Sequence, residues 1–151
     1  MVKPIENPVI TGGIEVPAWM ASVEALPLYS AVAYGEDSRV ALMNGRKQIR
    51  EAVARNVMKQ MLSDSYIVSI AAEDTKRHIL WMVAGRVGQI ASDHAMQKDL
   101  WISPQKLTYV LAEVDEAAVA QIYTPIFREE TDLLSANGEA AYLGRDAVKW
   151  R

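Results

Sequence analysis

The chain has 151 residues, of which half are hydrophobic and 23% charged, with a net charge of −3. These values suit one domain of common size, or one domain with an arm, and exclude a disordered or polyanion-coating chain. The absence of Cys excludes disulfide scaffolds, thiol catalysis, Fe–S clusters and zinc fingers. No charge-free apolar stretch reaches the roughly 20 residues that span a bilayer. The opening MVKPIENP carries no apolar signal core. The expectation is a soluble chain without a membrane span, intracellular or within a particle.

Four of the six prolines, Pro4, Pro8, Pro17 and Pro27, lie in the first 27 residues together with Gly12 and Gly13. Proline removes a donor and blocks helix continuation, so residues 1–38 read as an extended arm with short local structure. Val9–Thr11 and Ile14–Val16 flank Gly12-Gly13, the signature of a two-residue hairpin. Pro17 opens a short helix bearing Trp19, Val23 and Leu26, which Pro27 stops. Leu28–Tyr34 suits strand or buried coil equally.

The pattern then turns helical. Asn44-Gly45 reads as a turn or cap pair. Residues 46–62 carry Ile49, Val53, Val57 and Met61 four apart, one stripe on a helix. Ser63-Asp64-Ser65 ends it. Tyr66–Ala72 is ambiguous and leans helical. Asp74 or Thr75 caps a long helix to about Lys98. Ser103-Pro104 reads as a helix start, with Leu107, Val110, Leu111 and Val114 as the buried side. Asp115 recaps a helix through Tyr123, and Thr124-Pro125 starts a last one that stops near Asn137-Gly138. The fold class expected is therefore all-α: a bundle of four to five helices over 39–151, preceded by the arm.

Within the long helix, Ile79, Val83, Val87 and Ile90 form a stripe of large residues. Ala84, Gly88, Ala91 and Ala95 form a small-residue stripe where another helix, of the same chain or of a neighbour, could approach closely. Residues 46–59 hold Arg46, Lys47, Arg50, Arg55 and Lys59 against Glu51 alone. That leaves this segment at +4 and the remainder of the chain at −7. Such a surface can meet phosphates or acidic protein, but its cations spread around the helix and no aromatics interleave with them. Pairing with Glu113, Asp115, Glu129 and Glu130 of the chain itself is the plainer reading.

Catalytic patterns are scarce. His78 and His94 are 16 apart with no Glu three residues before either, so the ligand pattern of di-iron bundles is missing. The carboxylate groups Glu113, Asp115, Glu116 and Glu129, Glu130, Asp132 sit near expected helix starts, which the helix macrodipole accounts for. Neither a nucleophile elbow nor a phosphate-binding loop occurs. The chain is thus expected to have no cofactor, no metal and no enzymatic activity.

The arm carries Val9, Ile10, Ile14, Val16, Trp19 and Met20, which should dock on the chain's own domain or on a neighbour. Arms that dock on neighbours are a common device of self-assembling particles. The expected function is a structural subunit of a self-assembling complex, such as a virion coat, connector or filament protein, with copies of itself or other subunits as partners. The layout of apolar arm and helical domain resembles that of coat proteins of rod-shaped archaeal viruses. The alternatives are a nucleic-acid-binding protein using the 46–59 helix, and a non-catalytic subunit of a multisubunit enzyme.

Overall fold

The computed structural model describes residue 5 and residues 8–149, with side chains at all of these except 140, 141 and 144–149. Gly12 and Gly13 adopt φ of 58° and 78°, the doubly positive turn that matches strand twist. They join β1 (Pro8–Thr11) to β2 (Ile14–Pro17) in an antiparallel hairpin with Thr11 opposite Ile14. Pro17 caps a one-turn helix, α1 (Ala18–Ala21), and a 3-10 turn follows at Val23–Ala25.

The all-α expectation is overturned here. Among the described residues the chain is mixed α/β and mostly helical, with a two-stranded and a three-stranded antiparallel sheet and five helices. The larger sheet has the order β3-β5-β4, built from β3 (Ser30–Gly35), β4 (Met96–Ile102) and β5 (Thr108–Glu113). The resemblance to helical coat proteins rested on a helical domain and falls with it.

The stretch 103–114 suits either element. Leu107, Val110, Leu111 and Val114 have helical spacing, but a continuous apolar run also suits a strand buried on both sides. Ser103 does act as a cap, for a turn. Its Oγ accepts from the Leu107 N–H at 3.2 Å, its N–H donates to the Leu107 carbonyl at 2.9 Å, and Lys106 takes φ 65°. With Pro104 at the second turn position, the chain reverses and β4 pairs with β5. The long helix α4 (Glu73–Asp93) stops before the expected Lys98, which lies at an irregularity in β4 between Gln97 and Asp99.

Helix α2 runs Ser38–Leu62, eight residues earlier than the apolar stripe suggests. Asp37 caps it, its Oδ1 accepting from the Val40 N–H at 2.9 Å. Gly45 is no terminator. A Cβ there would lie 3.1 Å from the Ala112 Cβ and 3.6 Å from that of Ala33, so the glycine lets the helix lie against the sheet. The stripe Ile49, Val53, Val57 and Met61 is buried. Asp64 caps α3 (Ser65–Ser69).

A single helical run over 116–137, the first part of α5 (Glu116–Lys149), replaces the expected pair after Asp115. Val119, Tyr123, Ile126, Glu130 and Leu134 are buried at spacings of three and four, through an exposed Pro125. The continuous buried face outweighs the local proline penalty. The run ends at Gly138, with φ 79° and ψ 166°, where the Asn137-Gly138 pair was expected to stop it, and a second helical segment follows.

Two compact units result. One joins the residues up to Arg50 with Ser92–Glu116, so it holds both sheets and the first half of α2. Its core lies between α2 and the sheet, with Ala41, Ile49, Ala33, Val110 and Ala112 buried. The other joins Glu51–Ala91 with the residues from Ala117, an all-helical packing around Val53, Ile79, Val83, Val87 and Ile126. Among the described residues, no helix is long and apolar enough to cross a membrane.

Candidate interaction surfaces

The arm is anchored at one end and open at the other. Val16 is buried, and the Trp19 Nε1–H donates to Asp99 Oδ2 on β4 at 3.0 Å. The other Asp99 oxygen accepts from the Leu100 N–H at 2.8 Å. Trp19 and Met20 are half-buried. Beyond this anchor the hairpin carries Val9, Ile10 and Ile14 into solvent, Ile10 with 69% of its surface exposed.

The sheet brings together aromatics that the helical reading had scattered. Tyr34, Tyr109 and Trp101 are register partners across β3, β5 and β4. Their rings form a row, with centroids 5.4 Å apart for Tyr34–Tyr109 and 5.6 Å for Trp101–Tyr109, tilted by 36° and 44°. Tyr34 ends the row and is 56% exposed. A strand reading of Trp101 and Tyr109 on either side of Ser103-Pro104 could have found it.

In the helical unit, Ala84, Gly88 and Ala91 are buried, as is Ala95 just beyond α4. This stripe is therefore covered within the chain. A second side of α4 lines a groove of about 360 Å³ with Trp81, Met82, Gly85, Arg86, Gln89 and Ile90. Arg86 leads from this groove to a buried network. Its Nη1 donates to Glu130 Oε1 at 2.9 Å, and its Nη2 to Glu129 Oε2 at 3.3 Å. Glu130 is fully buried, and its Oε2 accepts from the Tyr142 hydroxyl at 2.6 Å. The His78 ring meets that of Tyr142 edge-on at 5.5 Å. Glu129 and Glu130 thus both pair with Arg86 of α4. Burial, and then the Asp64 carboxylate, push the Tyr123 hydroxyl up to about 12.

The cations of 46–59 divide. Arg46 is half-buried and clamps the Ala95 carbonyl through Nε at 3.1 Å and Nη2 at 3.0 Å, a structural role beyond the end of α4. Lys47, Arg50, Arg55 and Lys59 are exposed. Among the described residues, no group of three or more His, Asp or Glu is placed to hold a metal ion. No protein-family model matches the chain, and no curated protein matches it.

Proposed function

We propose that this chain is a non-enzymatic structural subunit of a self-assembling complex, a coat, connector or filament protein being its concrete forms. The observation that carries the reading is the hairpin. Val16 is buried and Trp19 is hydrogen-bonded to Asp99 of β4, while Val9, Ile10 and Ile14 remain exposed. A projecting apolar element rigidified by a turn has already lost much of its conformational freedom, so docking it on a neighbour costs less ordering entropy. Val9 and Ile14 share one face of the hairpin with Val16 and Ile10 lies on the other, so both faces offer apolar surface to a partner.

The test replaces Val9, Ile10 and Ile14 together with Thr, which keeps strand propensity and removes apolar area. Light scattering should give the unsubstituted chain a mass above 16.7 kDa. The triple variant should have a lower mass at the same concentration and an unchanged far-UV spectrum. Equal masses would remove the hairpin from the assembly.

A further inference from the structure

The larger sheet has two edges, and they are not alike. β4 carries the irregularity between Gln97 and Asp99, with Lys98 inside it. A bulge and a charged lysine are the usual devices that blunt an edge against pairing. β3, reading Ser-Ala-Val-Ala-Tyr-Gly, has no charge, no proline and no register shift.

The hydrogen-bonding phase of β3 follows from one bond. The Val114 N–H donates to the Tyr29 carbonyl at 3.0 Å, so Tyr29 and Val114 are a bonded pair. Antiparallel pairs alternate between bonded and non-bonded. Ala31, Ala33 and Gly35 therefore turn their backbone groups to β5, and Ser30, Val32 and Tyr34 turn theirs outward. Among the described residues, one partner reaches this outer row: the Asn44 side-chain amide, which donates to the Tyr34 carbonyl at 2.9 Å. The Ser30 hydroxyl is buried without a partner.

We propose that the outer edge of β3 pairs antiparallel with β3 of a second copy, across a two-fold axis at Val32, so that two three-stranded sheets become one. The proposal deepens the assembly reading and rests on it. An antiparallel strand pair is self-complementary, as a two-fold interface requires. In this register each Val32 faces the other, and Ser30 faces the second copy's Tyr34. The pairing gives the outward Val32 and Tyr34 N–H groups carbonyl acceptors. No like charges come opposite each other within the strands.

Val32→Lys and Val32→Glu, measured singly and as a one-to-one mixture by analytical ultracentrifugation, test the proposal. The unsubstituted chain is expected to form a species of twice 16.7 kDa. Each variant alone should associate at least about tenfold more weakly, because like charges directly opposite destabilise a strand pair. The mixture should recover association, since Lys then faces Glu. Tyr34→Ala, at an exposed position, should weaken association too, and it decides the matter if circular dichroism shows the Val32 variants unfolded. A chain that associates equally with and without these substitutions would overturn the β3 edge and leave the assembly reading standing. A chain that is monomeric at every concentration would overturn both.

Discussion

Glu130 is wholly buried, and its two carboxylate oxygens are held by Arg86 of α4 and by Tyr142, which lies beyond the break at Gly138. Removing one partner of a buried ion is costlier than never having buried it, because the remaining charge loses its compensation. Arg86→Met should therefore destabilise the chain by about 3–5 kcal/mol. The Glu129 contact is half-exposed and adds little. Tyr142→Phe removes a hydrogen bond to a charged acceptor and should cost about 1.5–3 kcal/mol. The double variant Arg86→Met, Glu130→Met should recover part of the first loss. Urea denaturation reads all three, and additive losses in the double variant would contradict the pairing. Tyr123 supplies a pH signature. Its hydroxyl stays protonated to about 12 in the folded chain, against 10.0 for an ordinary tyrosine. The folded state then holds more protons than the unfolded one between pH 10 and 12, so stability falls as pH rises through that window. Tyr123→Phe should flatten the fall, measured as melting temperature against pH.

At the level of elements, two glycines in helix interiors have opposite expected responses. A Cβ at Gly85 would meet nothing within 4 Å, so Gly85→Ala should stabilise α4 by about 1 kcal/mol. Gly45 faces Ala112 and Ala33 at close range, so Gly45→Leu should overpack and cost about 1–3 kcal/mol. Thermal melts of the two variants should shift in opposite directions; a destabilising Gly85→Ala would show that side of α4 to be filled. The same glycines show what the sequence could and could not reveal. The Gly12-Gly13 hairpin and the stripe from Ile49 to Met61 were legible, because turn chemistry and periodicity are local. Gly45 looked like a terminator because its reason is a sheet strand 67 residues away in sequence, at Ala112. β4 and β5 were misread for the same cause: the long helix was carried on to Lys98, Ser-Pro and an apolar run fit a helix start, and only the pairing of β5 with β3 and β4 selects the strands. The aromatic row was lost with them. Likewise, no spacing indicates that Arg46 would clamp Ala95 or that Glu130 would be buried.

For the whole molecule, the arm and the sheet edge put apolar and hydrogen-bonding surface on the unit that contains both sheets. Deleting residues 1–27 should leave β3 and helices α2 to α5 in place, since the helix stripes and the β3-β5-β4 pairings all lie after that stretch. It should lower the associated mass, with helical circular dichroism retained. The most direct measurement is the mass of the full chain by light scattering across a wide concentration range. Self-assembly requires a mass that rises with concentration, or holds at a multiple of 16.7 kDa. A constant 16.7 kDa throughout would contradict it.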